Sequence, residues 1–206
     1  MARGWPVVLQ DGDVLLRPLR RRDAAEWLRL RAVNADWLAP WEATMPPSEP
    51  SPALTFSRYV RSLDAEGRAG KAVHLAIELD GALAGRVSIS GIMRGALSSA
   101  FIGYWVSREV AGQGVAPTAL ALAIDHCFTG LGLHRVEVNV RPENHASLRV
   151  VEKLGLRDEG LRERFLHIDG RWADHRSFAL TADEVPEGMA TRWRARHNHT
   201  GVIPIG

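Results

Sequence analysis

The sequence predicts one α+β domain, built on a mixed and mostly antiparallel sheet with flanking helices. Two Asp-Gly pairs, at 80–81 and 169–170, each join two strand-like runs, as in tight antiparallel hairpins. A helix-like run at 118–129 lies between two further strand-like runs, which indicates one crossover connection. The chain has 206 residues, 46% of them hydrophobic, which is long enough for one good core.

Each element follows from a local pattern. Strand-like runs, rich in β-branched and aromatic residues, lie at 13–17, 73–79, 83–92, 100–106, 135–140, 164–168 and 171–180. Helix-like runs, with apolar residues at helical spacing, begin at Asp23, at Leu54, at Thr118 and at Asn144. Only one strand separates the last two helices, so a long doubly wound parallel sheet is disfavoured.

Two stretches have no regular pattern. The run 34–42 contains Trp37 and Trp41 and is interrupted by Pro40, and the prolines between residues 46 and 52 predict a rigid loop. From Glu184 onward the chain is poor in apolar residues and rich in Arg and His. We therefore expect a domain at 1–186 and a basic tail at 187–206, loosely held or packed as an extension.

Charge and cysteine content narrow the function classes. The net charge of +2 is too small to indicate nucleic-acid binding, so we expect no direct contact with nucleic acid. The sequence has neither an apolar run of membrane-spanning length nor a signal-peptide core, which predicts a cytoplasmic protein without membrane contact. Cys127 is the single cysteine and is expected to be a small core residue. We expect no bound metal.

The most specific motif is the Gly-rich run at 111–117, between a strand-like and a helix-like run. Gly112 and Gly114 allow backbone N–H groups to converge at a helix N-terminus, which suits a phosphate or pyrophosphate, although glycines there can also be ordinary turn residues. An ATP loop of the Walker type requires a lysine there, and the two lysines, Lys71 and Lys153, lie elsewhere. Three strands precede the loop, which makes a dinucleotide fold a weak competitor.

This run resembles the acetyl-CoA loop of GNAT N-acetyltransferases, whose pattern is Gln/Arg-x-x-Gly-x-Gly/Ala. The departure is Ala111, where the family has Arg or Gln. The family's second signature, Asn-x-x-Ser at the start of the next helix, is present as Asn144 to Ser147. The closer resemblance is to RimJ/RimL-type ribosomal-protein N-terminal acetyltransferases; it spans about residues 13–183 and is carried by 34–42, 94–95 with 102–104, and 168–175.

The resemblance implies the GNAT fold, in which two central strands splay apart, with acetyl-CoA as the cofactor. The cofactor-binding residues it implies are Tyr104, Trp105, Val106, Ala111, Gly112, Gln113, Gly114, Val115, Ala116, Asn144 and Ser147. The acceptor-binding residues it implies are Trp37, Trp41, Glu42 and His175.

Acetyl transfer needs a neutral amine and a stabilised leaving thiolate. Ser147 is the candidate for stabilising the thiolate, and Asn144 is expected to cap the helix, to contact the cofactor, or both. Glu42 is the first candidate for the general base, although it could instead orient the amine or hold its loop. Asn139, on the strand at 135–140, could position a water molecule.

The sequence therefore predicts an acetyl-CoA-dependent N-acetyltransferase. Its expected acceptor is a protein N-terminal amine, with a ribosomal protein as one candidate. The alternatives are a small amine, such as an antibiotic or amino acid, and an acyl-CoA-binding regulatory module without turnover. The sequence leaves a homodimer open.

Overall fold

A computed structural model describes residues 4–46 and 54–198 of the chain. The strands are β1 (Leu9–Asp11), β2 (Val14–Arg17), β3 (Val73–Leu79), β4 (Ala82–Met93), β5 (Ser99–Val106), β6 (Arg135–Val140), β7 (Arg157–Ile168) and β8 (Arg171–Thr181). The α-helices are α1 (Ala24–Val33), α2 (Ala35–Leu38), α3 (Phe56–Arg68), α4 (Val115–Asp125), α5 (His145–Leu154) and α6 (Met189–Asn198). The predicted proline loop lies largely outside the described residues, as does 199–206.

The strands form one eight-stranded sheet in the order β1-β2-β3-β4-β5-β6-β8-β7. Neighbouring strands are antiparallel except β5 and β6, which are parallel, so the predicted mixed and mostly antiparallel sheet is confirmed. The parallel pair has only three register partners, from Ser99 opposite Arg135 to Phe101 opposite Glu137. Beyond Phe101 the two strands part, as the resemblance implied.

Two apolar clusters cover the two faces of the sheet. The larger one packs α4, α5 and α6 against one face and contains Leu120, Ile124 and Leu180. Cys127 is fully buried in it, as expected, and this burial raises the pKa of its thiol. The smaller cluster packs α1 and α3 against the other face, around Trp27.

Both Asp-Gly turns have left-handed backbone at their two central residues, which confirms the tight hairpins. The second hairpin is longer than predicted, because β7 begins at Arg157 rather than at Arg164. β7 is an edge strand whose first ten residues are mostly exposed, so its sequence lacks the alternation that marks a half-buried strand.

The stretch expected to be a basic tail contains α6, which belongs to the core. Met189, Ala190 and Trp193 are buried against the larger cluster. The Asp125 carboxylate accepts hydrogen bonds from the N–H groups of Met189 (2.5 Å) and Ala190 (3.0 Å), which fixes the start of the helix. Three apolar residues among arginines were too weak a pattern to predict this helix.

A buried ion cluster joins β2 and β3 to the residue that precedes α1. Arg17 is 5% exposed and donates to Asp23 (2.7 Å) and Glu78 (2.6 Å), which are also buried.

Replacing Arg17 by Met leaves two buried carboxylates without their cation. We expect Arg17→Met to lower the free energy of unfolding by about 3–5 kcal/mol, measured by urea denaturation.

The matched control is Arg68→Met, which removes an exposed pair with Asp64 on α3. We expect a loss of about 0.5 kcal/mol there, because solvent screens that pair. Equal losses in the two variants would contradict the role given to the buried cluster.

Candidate active site

Two cavities meet where β5 and β6 part. The loop cavity, of about 370 Å³, lies between the Gly-rich loop, the end of β5 and the start of α5. The sheet cavity, of about 530 Å³, lies between β3, β4, β5, β6 and the β7–β8 hairpin. The residues that line both cavities are Leu38, Trp41, Tyr104, Trp105, Asn144 and Ser147. A bound molecule could therefore reach from one cavity into the other.

The Gly-rich loop begins α4 and forms one wall of the loop cavity. Gly112 and Gly114 have φ of 86° and 85°, a left-handed conformation that favours glycine. The amide of Thr118 closes the first turn onto the carbonyl of Gly114 (3.1 Å). The N–H groups of a first helical turn lack helical partners, so this turn can donate to an anion.

Most of the predicted cofactor residues line the loop cavity: Tyr104, Trp105, Val106, Ala111, Gly112, Gly114, Ala116, Asn144 and Ser147. Two others are directed elsewhere. Gln113 is exposed and its side chain donates to the carbonyl of Glu109 (2.9 Å), and Val115 is buried in the core. For these two, only the backbone could serve a ligand.

Three basic side chains that the sequence analysis did not name also line the loop cavity. They are His145, Arg149 and Lys153, all on α5. Their spacing of four residues places them on one face of the helix, opposite the Gly-rich loop. That periodicity, directly after the Asn-x-x-Ser signature, is the sequence signal that could have identified them. Arg149 and Lys153 add positive charge to a cavity whose Ala111 carries none.

Asn34 fastens the Trp-rich segment to the entrance of the Gly-rich loop. Its side chain is 2% exposed, donates to Ser107 Oγ (3.0 Å) and accepts from the N–H of Arg108 (2.9 Å). The indole of Trp37 donates to the carbonyl of Val106 (3.2 Å). Trp37 consequently lines the loop cavity rather than the sheet cavity, which separates it from Glu42 and His175, two of the other predicted acceptor residues.

Ser147 and Tyr104 mark the junction of the two cavities. Asn144 caps α5 by accepting from the N–H of Ser147 (3.1 Å), which confirms the predicted cap. The hydroxyl of Tyr104 is buried, and within the described part of the chain it has no hydrogen-bond partner of normal geometry. Burial raises the pKa of Tyr104 to about 12, an effect that the Ser147 side chain partly offsets. Tyr104 is therefore a protonated donor at neutral pH.

Glu42 and Trp41 line the sheet cavity at the tryptophan-rich segment. The Glu42 carboxylate accepts from Arg31 (2.5 Å). Just beyond it, Ala43 forms a backbone bridge with Ile168, and the N–H of Thr44 donates to the carbonyl of His167 (2.9 Å). These bonds hold the Glu42 segment against the β7–β8 hairpin.

Asn139 and His175 lie on the opposite side of the sheet cavity. Asn139 Oδ1 and the hydroxyl of its cross-strand partner Ser177 are both buried, and neither has a partner in the described residues. His175 is 4% exposed, and its Nδ1 lies 3.0 Å from the carbonyl of Ala173. Desolvation lowers the pKa of His175, so its imidazole is neutral at neutral pH.

Ser177 was not identified from the sequence. Its position two residues after His175, on the same face of β8, is the signal that could have suggested it. Two orphaned polar atoms side by side can share a bound water molecule.

Two kinds of feature were also sought in 4–46 and 54–198. No set of three His, Cys, Asp or Glu side chains there is grouped to hold a metal ion. No helix in these ranges has the length and apolar content to cross a membrane.

Comparison with known proteins assigns the family. Residues 13–157, more than half of the chain, match the acetyltransferase (GNAT) domain. The chain belongs to the GNAT acetyltransferase family. Like other GNAT enzymes, it is an acyltransferase, and members of this family use acetyl-CoA.

Three GNAT relatives place the chain within the family. It is 40% identical to RimJ of Mycobacterium smegmatis, solved in complex with CoA-disulfide, with a TM-score of 0.88, covering 96% of this chain and 98% of that one. It is 32% identical to the "Probable N-acetyltransferase YjcK" of Bacillus subtilis, covering 84% and 96% of the two chains. It is 27% identical to the ribosomal protein uS5-alanine N-acetyltransferase of Escherichia coli, covering 88% and 94%. The RimJ/RimL-like resemblance is confirmed.

The contribution of Gly112 to ligand binding can be tested with a matched pair of variants. Gly112 and Gly95 both have positive φ, and a Cβ at either would meet open space, but only Gly112 lines the loop cavity. We expect Gly112→Ala and Gly95→Ala each to cost about 1 kcal/mol of unfolding free energy, measured in urea.

Only Gly112→Ala should also weaken CoA binding, by about tenfold in calorimetric titration, since roughly 1.4 kcal/mol corresponds to that factor. The same CoA affinity in both variants would show that the loop does not approach the cofactor.

Proposed function

We propose that this GNAT enzyme transfers the acetyl group of acetyl-CoA to the N-terminal α-amine of a protein, and that a ribosomal protein is the first acceptor to examine. The observation that carries the proposal is the meeting of two cavities at Tyr104 and Ser147. One cavity has the features of a phosphate site, and the other can admit an extended chain end. The amine and the acetyl donor would approach each other from opposite sides of the gap.

The loop cavity suits acetyl-CoA, which supplies an activated thioester when bound. The first turn of α4 can donate N–H groups to a pyrophosphate, and Arg149 and Lys153 add positive charge. The edge of β5 beyond Phe101 is unpaired toward β6 and offers backbone groups to an amide-containing ligand. Ala111 leaves phosphate binding to these backbone and α5 groups.

The sheet cavity suits an α-amine, which needs little help to lose its proton. An α-amine has a pKa near 8, so about a tenth is neutral at pH 7, whereas a lysine amine near 10.4 is almost fully charged. Asn139 Oδ1 is free to accept from the amine or from a water molecule. His175 donates through Nδ1 to a carbonyl, which leaves the lone pair of Nε2 available to accept the proton.

Glu42 and Ser147 would have different tasks. The Glu42 carboxylate is bound by the Arg31 guanidinium, which suits holding the segment or orienting the amine. Ser147 and Tyr104 offer hydroxyl donors at the junction. As the N–C bond forms and the C–S bond breaks, these donors would stabilise the negative charge on sulfur.

A polyamine acceptor fits the sheet cavity less well. The chain is 33% identical to the spermidine N(1)-acetyltransferase of Vibrio cholerae, but over only 34% of its length. A polycation requires several carboxylates, and Glu42 alone supplies one among the described residues of the cavity wall, where it is bound to Arg31. The charge of the cavity therefore favours a peptide over a polyamine.

An acceptor screen tests the proposal. The enzyme is incubated with acetyl-CoA and four acceptors: peptides with a free N-terminal Ala or Ser, the same peptides with blocked N-termini and an internal Lys, spermidine, and free amino acids. We expect a mass shift of one acetyl group on the free N-terminal peptides alone. Transfer only to Lys, spermidine or amino acids would overturn the N-terminal α-amine as the acceptor, and CoA binding without any transfer would favour a regulatory module.

Removing the Ser147 hydroxyl tests the role proposed for it at the junction of the two cavities. We expect Ser147→Ala to lower kcat by about 10- to 100-fold while the KM for acetyl-CoA changes little, because the hydroxyl acts mainly in the transition state. The Asn144 cap bonds the backbone of Ser147, so the melting temperature should be unchanged. Ser62→Ala on α3, outside both cavities, is the control and should keep full activity. An unchanged kcat in Ser147→Ala would remove this residue from the mechanism.

A further inference from the structure

One wall of the sheet cavity has no part in the mechanism above. It is formed by four polar side chains of β3 and β4: His74, Arg86, Ser88 and Ser90. His74 pairs with Ser88 across the two strands, and both share a sheet face with Arg86. This polar wall lies one to two strands away from the gap between β5 and β6.

Arg86 is the side chain of this wall whose charge is not balanced. Glu42 and Arg141, the other ionised residues that line the sheet cavity, each have an oppositely charged partner. Arg86 donates to the neutral hydroxyl of Tyr59, and no carboxylate within 4–46 and 54–198 lies at ion-pair distance from it. A half-buried guanidinium with spare donors is a ready partner for an anionic group.

The neighbours of Arg86 point to the same chemistry. The hydroxyl of Ser88 lies on the same face of β4 and also lines the cavity. His74 faces Glu66 through Nε2 (3.0 Å), whereas its Nδ1 is buried without a partner among the described residues. The wall therefore holds polar atoms that a ligand or its water could satisfy.

We propose that Arg86, assisted by Ser88, binds a carboxylate of the acceptor a few residues away from the amine that is acetylated. This inference rests on the proposed function of the same cavity. It assigns a preference for acidic acceptors to a wall that the transfer chemistry itself does not require.

The sheet geometry limits where the carboxylate lies along the acceptor. Arg86 is opposite Trp105 of β5, and neighbouring strands are about 4.8 Å apart. An extended peptide advances about 3.3 Å per residue. Starting from an amine at the junction beside Tyr104, the guanidinium can reach an acidic side chain at the second to fourth residue, or the terminal carboxylate of a very short acceptor.

The experiment measures kcat/KM for C-terminally amidated peptides with Glu, Gln or Lys at the second, third or fourth residue. We expect Glu to exceed Gln about tenfold at one of these positions, as a charge-assisted hydrogen bond would give, and Lys to be the poorest. Free di- and tripeptides with and without amidation distinguish a terminal carboxylate from an acidic side chain. A higher kcat/KM for the peptides with a free C-terminal carboxylate supports the subsite, with the terminal carboxylate of a short acceptor as the group that it binds.

Variants then assign the preference to Arg86. In Arg86→Gln the Glu-to-Gln ratio should fall to about one, and in Arg86→Glu the order should reverse in favour of Lys. Arg86→Lys keeps the charge without the planar fork and should retain an intermediate ratio. Arg61→Gln, an exposed charge of α3 that does not line the cavity, should keep the wild-type ratio and rate.

The outcomes separate this inference from the proposed function. Acetylation of all free N-terminal peptides at equal rates would sustain the function and overturn the carboxylate subsite. A Glu preference that persists in a folded Arg86→Gln variant would also overturn it. Transfer to free di- and tripeptides alone, with loss of the carboxylate preference in Arg86→Gln, would sustain the subsite and overturn the protein acceptor.

Discussion

The parting of β5 and β6 is the constraint on which the site depends. Each of these strands is held on its outer side by a long antiparallel ladder, β5 by β4 as far as Val106 and β6 by β8 as far as Val140. Their inner edges pair over only three residues. The outer ladders keep the inner edges apart, so the backbone groups facing the gap need partners other than the neighbouring strand: a side chain such as the indole of Trp37 at Val106, solvent or a ligand. The unpaired backbone of β5 and β6 is therefore available to bind a ligand.

Two asparagine side chains fix the backbone beside this gap. Asn34 ties the turn after α1 to the residues that enter the Gly-rich loop, with bonds to both Ser107 and Arg108. Asn144 caps α5 by accepting from the backbone N–H of Ser147 in the first turn of that helix. Both are short amides that replace missing backbone partners at chain turns, and such bonds fix position more strictly than apolar packing does. These bonds fix backbone at the entrance of the Gly-rich loop and at the start of α5, which both border the loop cavity.

Sequence patterns predicted those elements of the fold that depend on interactions within a single segment of the chain. The bounds of β3 and β6, the Asp-Gly hairpins, the Gly-rich loop and the Asn144 cap all follow from residues that act on their own segment. The helix α6, the exposed half of β7 and the role of Asp125 as a cap were missed, because each depends on a partner distant in the chain.

The same distinction applies to the site. The residues of the Gly-rich loop and Ser147 could be named from their spacing, whereas Arg86 could not, since strand register brings it to the sheet cavity. Trp37 shows the limit most clearly. Its neighbour Trp41 lines both cavities, but the indole bond to Val106 directs Trp37 to the loop cavity alone.

The backbone bridge between Ala43 and Ile168 has an evolutionary consequence. It joins two segments, 42–44 and 165–175, that border the sheet cavity and not the loop cavity, whereas the loop cavity is built mainly from 104–117 and 144–153. Mutations that reshape the first pair of segments alter one cavity and leave most walls of the other intact. A single scaffold can therefore acquire a differently shaped sheet cavity by drift in two segments, while the loop cavity stays the same.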